Sequence, residues 1–361
     1  MMFTTPVAGG RLAGRLAELD GLRNELCVRI GGGGPWLGSL RRLVKASSAE
    51  SSVSIEGYSV PEDKAVAIVS GPRRAEAADE NELALADYAR AMDHVSVMAD
   101  DPVFEWSDRV ILDLHFDACW FQRAQMPGRW RETPIVVTGA EGGVAYRAPD
   151  ADLVVSLMGE VVEWLGTGDR EAHVVVRAAM AHLHTVSVHP FRDGNGRISR
   201  IVQSLVLARE GLLSPEFASI EEHLGRYTPE YYAVLRRVQG GEYQPQRDAS
   251  EWVQFCVDAH IEQARRRLDQ LTEAAARWAF LEDLVERRRW PDRLVIALEQ
   301  SLIGGTDRSM YEAEADISPA TASNDFRRLV DAELIERAGR GRSTRYHAGV
   351  ALRNDVRLRE R

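Results

Sequence analysis

The sequence predicts a mainly α-helical protein with one β-hairpin set into its body and a small basic module at its C-terminal end. Three observations predict it. Apolar residues recur at helical spacing across most of residues 37–286. One strand–turn–strand signal interrupts that pattern at residues 134–146. The charge then changes sign: residues 317–361 hold ten arginines against six carboxylates, while the whole chain, with 45 basic and 55 acidic residues, has a formal net charge of −10.

In chain order, residues 1–30 mix apolar and charged positions without a clear period. Four glycines at 31–34 and Pro35 predict a loop, and it is not a phosphate loop, because no Gly-Lys-Ser/Thr follows at the required spacing. A helix is predicted over residues 37–54, stopped by Gly57. Residues 61–81 read as a long connection. Helices follow at 82–99 and 107–122, the second with Val110, Ile111, Leu114 and Ala118 on one face. Pro127-Gly128 ends that pattern. The hairpin has apolar arms at 134–138 and 144–146 around a glycine-rich turn. Five more helices are predicted at 151–165, 170–188, 196–210, 229–239 and 249–286. The basic module starts with helices at 294–302 and 309–315. Ser318 then caps a helix with Pro319 at its first position, and Ala322, Phe326, Leu329 and Val330 form its apolar stripe. The opposite face shows Thr321, Ser323, Asn324, Arg327 and Arg328. A strand at Leu334-Ile335, a basic turn with Arg340 and Arg342, and a return strand at 343–347 complete it. At ~150 residues per domain, 361 residues suggest two or three domains. The predicted division is 1–100, 101–286 and 287–361.

Composition excludes several classes. An apolar content of 45% and a charged content of 28% are ordinary for a globular chain and exclude general disorder. No apolar run reaches the ~18 residues of a membrane span, and no secretory leader is expected at residues 1–16. The acidic balance argues against nucleic acid binding over the whole surface. Cys27, Cys119 and Cys256 are scattered, fit neither a disulfide framework nor a zinc site, and suit a reducing cytoplasm. His182 and His184 are two apart on a helix and so face away from each other, which argues against a metal pair.

The chemistry concentrates in residues 189–200, between two predicted helices. Gly194-Asn195-Gly196 tolerates positive φ, so consecutive N–H groups can converge on an anion, and the helix that begins there adds its positive end. Arg197 and Arg200 share a helix face and can both reach phosphate oxygens. Asp193 suits Mg²⁺, which takes one or two carboxylates plus substrate phosphates. His189 is mostly neutral at pH 7 and can accept a proton. A calcium loop is the first rival, but in that register its end positions fall on Phe191 and Val202, which offer no side-chain oxygen. A plain surface turn needs neither His189 nor two arginines at helical spacing.

This segment resembles the signature of the Fic family, His-x-Phe-x-(Asp/Glu)-Gly-Asn-Gly-Arg-x-x-Arg, with every fixed position filled. The resemblance extends over about residues 40–265, through the helix at 178–184, the end of the next at 208–213, Tyr231-Tyr232-Ala233-Val234-Leu235, and a flap hairpin with Arg131 and residues 135–139. It departs at Ser199 and Thr138, where glycine is frequent. It implies a Fic-fold helical bundle with the hairpin as flap. It implies AMP transfer from ATP to a Ser, Thr or Tyr hydroxyl of a target protein, releasing pyrophosphate, with Mg²⁺. In that scheme His189 is the general base and Asp193 holds Mg²⁺. The backbone of Gly194, Asn195 and Gly196 forms the anion hole, and Arg197 grips the distal phosphates. Arg200 orients the γ-phosphate and Phe191 anchors the loop. The flap, with Ile135 and Thr138, pairs with the target and touches the nucleotide, while Tyr231 and Tyr232 line the adenine pocket.

Residues 52–57 are similar to the family's inhibitory motif, (Ser/Thr)-x-x-x-Glu-(Gly/Asn), through Ser52, Glu56 and Gly57. A Glu56 carboxylate paired with Arg200 would sit where the γ-phosphate should lie. The C-terminal module resembles the winged helix-turn-helix that some Fic proteins carry there. It implies a DNA contact through Arg327, Arg328, Arg340 and Arg342, with a protein or dimer interface as its rival. A homodimer is a further expectation from the resemblance. The alternatives are a DNA-binding regulator with a nucleotide-sensing body, removal of AMP by the same site with Glu56 positioning water, and transfer of UMP or a phosphoryl group.

Overall fold

A computed structural model describes residues 2–70, 79–139, 142–339 and 344–359. Helices dominate it, as predicted. The N-terminal part holds α1 (Gly10–Gly31), α2 (Leu37–Ser54), α3 (Glu62–Ser70), α4 (Glu80–Asp100) and α5 (Asp108–Cys119). The hairpin is β1 (Val136–Thr138) with β2 (Val144–Arg147), followed by α6 (Val154–Thr167), α7 (Val174–Val188) and α8 (Asn195–Ala208). Next come α9 (Pro215–Ala218), α10 (Glu221–Arg226), α11 (Thr228–Gln239) and the long α12 (Ser250–Arg287). The C-terminal unit comprises α13 (Leu294–Leu302), α14 (Arg308–Ala315), α15 (Pro319–Asp331), β3 (Ile335–Ala338), β4 (Arg345–Ala348) and α16 (Val350–Arg359).

Two expectations are corrected. Residues 1–30 are not an unpatterned stretch: a 22-residue helix runs from Gly10 to Gly31. Leu12, Leu16, Leu19, Arg23 and Leu26 are its buried seam, and it lies along α12. Residues 61–81 are not one connection, because α3 buries Ala65, Val66, Ile68 and Val69 there. In addition, α16 and the short α9 and α10 had no counterpart in the sequence pattern.

α7 and α8 pack on each other at the centre. Nearly every residue of α7 is buried, which its run of Val, Ala and Leu permits on all faces. Around this pair one apolar cluster runs from Phe3 to Ala274. A second runs from Trp278 to Val356, and α12 enters both. The hairpin pairs Val137 with Tyr146, with an irregularity between Val137 and Thr138. In the C-terminal unit Ser318 caps α15 as predicted, accepting from the Thr321 N–H, and Ile335 pairs with Ala348 across β3 and β4. Asp325 lies on the inner side of α15, bound by Arg293 at 2.7 and 3.1 Å and by the Tyr311 hydroxyl at 2.9 Å.

Candidate active site

The turn from α7 into α8 brings the predicted residues together. α7 is capped by His189, whose backbone is left-handed (φ 52°). Gly194, at φ 77°, caps α8 in the same region of backbone space, as a glycine readily does. The Asn195 side chain closes the loop on itself: its Oδ1 accepts from the Phe191 N–H at 2.9 Å and its Nδ2 donates to the Phe191 carbonyl at 2.8 Å. Phe191 is fully buried and stacks flat on His115, ring centroids 3.5 Å apart. His115 was not singled out in the sequence. Its Nδ1 accepts from the Gly128 N–H, so its Nε2 carries the proton and donates to the Asp193 carbonyl, each at 2.9 Å. Burial holds its pKa down at about 4, so the ring stays neutral. Arg131, also buried, joins this turn to the flap. Its Nε donates to the His189 carbonyl at 2.8 Å and its Nη1 to the Thr133 carbonyl at 3.0 Å.

His189 Nδ1 lies 3.2 Å from the Val186 carbonyl, which can only accept, so Nδ1 holds the proton and Nε2 keeps a free lone pair. Burial lowers the His189 pKa to about 4. The ring borders a cleft of about 770 Å³. Asp193, Asn195, Gly196 and Glu56 line the same cleft, with residues 135–139 of the flap on one side and Tyr231 and Tyr232 on another. Ile135 and Thr138 therefore both face it. Tyr231 is 1% exposed and its hydroxyl is taken by His182 at 3.0 Å, so it serves the core as much as the cleft. The Tyr232 hydroxyl points instead at the Ile55 carbonyl, 3.4 Å away.

The two arginines are sealed beneath this surface, each 1% exposed. Arg200 donates from Nε to the Ser52 hydroxyl at 2.7 Å and from Nη2 to the Ser52 carbonyl at 2.9 Å and Glu56 Oε1 at 3.0 Å. A methyl group at Gly196 would strike the Glu56 carboxylate, so Glu56 lies directly over the start of α8. Arg197 reaches Gln122 at 2.8 Å and Asp193 at 3.7 Å. Its Nε and Nη1, and the Nη1 of Arg200, have no hydrogen-bond partner among the described residues. Buried cationic donors in that state fit an anion. Asp193 Oδ1 accepts from the Gly194 N–H and Oδ2 from Gln122. Among the described residues no group of three or more His, Cys, Asp or Glu is placed to hold a metal, so any metal here would rest on Asp193 and the substrate's own oxygens. Gly57 turns the chain after α2 at φ 92°.

His182 and His184 do face apart, the first toward Gln203 and Tyr231, the second toward Phe3 and Trp164. Arg327 and Arg328 are exposed on α15. Arg340 and Arg342 lie outside the described residues. No described helix is long and apolar enough to cross a membrane.

Comparison with known proteins bears on this site. Residues 106–207 match the Fic/DOC family, a span that holds the flap, His189 and the whole turn into α8. A probable protein adenylyltransferase of Aquifex aeolicus is 30% identical over 116 residues, 32% of each chain. A protein adenylyltransferase of Caenorhabditis briggsae is 34% identical over 119 residues, 33% of this chain and 21% of its own. The matched stretch thus spans a third or less of these two relatives. Among solved structures, a Fic family protein of Desulfovibrio desulfuricans G20 superposes with a TM-score of 0.60 at 20% identity, covering 96% of this chain and 99% of that one. Fic-1 of Caenorhabditis elegans gives 0.55 at 20% identity over 72% of each chain. The fold is therefore shared, and residues 106–207 are similar to the Fic/DOC family, with relatives named as protein adenylyltransferases.

Proposed function

We propose that this protein is a self-inhibited protein adenylyltransferase that acts in the cytoplasm. His189 Nε2, with its lone pair open to the cleft, takes the proton of a target Ser, Thr or Tyr hydroxyl. The freed oxygen forms a bond to the α-phosphorus of ATP, the bond from that phosphorus to the β-phosphate bridging oxygen breaks, and pyrophosphate leaves. The N–H groups at 194–196 and the start of α8 face the charge that develops. Arg197 and Arg200 bind the distal phosphates, and Asp193 holds Mg²⁺. That ion would neutralise phosphate charge. The open side of the flap, with Val136 and Val144 exposed, offers an extended target segment a strand to pair with. Tyr232 borders the base.

The observation that carries the self-inhibited form is the pairing of Arg200 with Ser52 and Glu56 beneath the cleft that contains His189, with Glu56 itself lining that cleft. A γ-phosphate and the Glu56 carboxylate compete for one guanidinium, and two anions cannot share it without cost. The test is labelling with α-³²P-ATP and Mg²⁺, alone and with cell lysate. Glu56→Gly should label itself or a target, whereas the wild type and Glu56→Gly with His189→Ala should stay dark. Labelling from γ-³²P-ATP alone would replace AMP transfer with phosphoryl transfer. Loss of label from a pre-modified target only when Glu56 is present would make the site a remover of AMP.

For the C-terminal unit we infer a nucleic acid contact through the exposed Arg327 and Arg328 of α15. A DNA shift assay should lose its band, and its salt dependence should weaken, in Arg327→Ala with Arg328→Ala. A unit that instead joins two copies would leave DNA unshifted and change the mass in solution.

A further inference from the structure

Asp193 and Arg197 meet a third side chain that no motif marks. Gln122 follows α5, and its Nε2 donates to Asp193 Oδ2 at 2.7 Å and to the Tyr58 hydroxyl at 2.8 Å. Its Oε1 accepts from Arg197 Nη2 at 2.8 Å. A side-chain amide has two N–H donors and one carbonyl, so all three bonds form together. Turned over, the amide would set its oxygen against a carboxylate and its N–H against a guanidinium. Asp193 and Arg197 approach each other only to 3.7 Å, so the amide rather than a direct ion pair sets their spacing. Tyr58 stands two residues after Glu56. Its ring lies 5.7 Å from the Arg197 guanidinium and edge-on to Phe121, which is itself 5.3 Å from that guanidinium.

We propose that Gln122 is a positioning residue that holds the carboxylate of Asp193 and the guanidinium of Arg197 in one register for ATP and Mg²⁺, and that Tyr58 ties this register to the inhibitory segment. This rests on the adenylyltransferase function proposed above. Without the amide, Asp193 and Arg197 close into a direct pair, and each neutralises the charge the nucleotide complex needs. The inhibitory segment then touches both phosphate arginines, Arg200 through Glu56 and Arg197 through Tyr58 and Gln122.

The experiment is calorimetric titration of ATP, with Mg²⁺ and separately with EDTA, into the full chain carrying Glu56→Gly. Gln122→Met and Tyr58→Phe are added singly to that background, with thermal melts beside each titration. Gln122→Met should weaken binding with Mg²⁺ about tenfold, and by more than in EDTA, as loss of a hydrogen bond to charged partners implies. Tyr58→Phe, which keeps the ring and removes one oxygen, should weaken it about threefold. If Gln122→Met fails to fold, Tyr58→Phe decides alone. Unchanged binding by folded variants overturns the proposal and leaves the transferase reading standing. A weakened Gln122→Met beside an unchanged Tyr58→Phe overturns the tie to the inhibitory segment. No ATP binding by Glu56→Gly itself overturns both.

Discussion

Arg200 has three acceptors around it, and they are not equivalent. Ser52 supplies two of them, a hydroxyl and a carbonyl, and Glu56 supplies the charge. Ser52→Ala leaves a buried Nε–H without a partner, which costs about 1–3 kcal/mol. That variant should melt lower than the wild type and label with α-³²P-ATP at a level between the wild type and Glu56→Gly. A silent, equally stable Ser52→Ala would place the whole brake on Glu56. Asn195 makes a second residue-scale test, because its side chain alone ties Phe191 N–H and carbonyl across the turn. In the Glu56→Gly background Asn195→Ala should lower labelling about a hundredfold, the size of effect a small misplacement of reacting groups produces. The residues at 189–200 were legible because one turn must hold a base, a carboxylate and an anion hole within a dozen positions. His115, Gln122 and Tyr58 were not. Each reaches the turn from 71 or more residues away only after folding, and a lone His, Gln or Tyr carries no spacing that marks it.

At the scale of elements, the segment after α2 decides where Glu56 and Tyr58 point. Gly57 sits at φ 92°, and an added Cβ there would meet nothing within 4 Å, so a side chain is penalised by backbone strain and not by crowding. Gly57→Ala should cost about 1 kcal/mol, lower the melting temperature by about 2 °C, and raise labelling above the silent wild type as the turn relaxes. Gly57→Asn should stay silent, since asparagine tolerates positive φ. Equal labelling by the two variants would detach the turn's geometry from inhibition. The elements missed in the sequence have physical reasons too. α1 holds its leucines at helical spacing, but Arg23 occupies a seam position, paired there with Glu210, and Gly10, Gly14, Gly21 and Gly31 dilute the pattern. α3 has nine residues and a buried core at 65–69, too short a run to show a period.

Across the whole molecule, the bundle buries histidines as neutral rings. His182, with Nδ1 facing Gln203 and Nε2 facing Tyr231, is held by burial at a pKa of about 3. Burial does the same to His184 and His260, each also about 3. In the unfolded chain these rings take protons near the usual ~6.5, so the unfolded state gains protons first as pH falls. The stability they confer is complete above ~6.5 and is lost as pH drops from there toward 3. One unit below 6.5, each ring has cost about 1.4 kcal/mol, and three together approach the net stability of an ordinary domain. The melting temperature should therefore fall steadily between pH 7 and 5.5, above the range where ordinary carboxylates titrate. His184 separates this cause from a general acid effect. Neither of its ring nitrogens has a hydrogen-bond partner among the described residues, so His184→Leu gives up no bond and removes one titrating ring. Its melting temperature at pH 7 should match or exceed that of the wild type, and its decline toward pH 5.5 should be shallower by about a fifth, because His115 and His189 are also buried with lowered pKa values. A parallel decline in the two proteins would move the acid sensitivity away from the buried histidines.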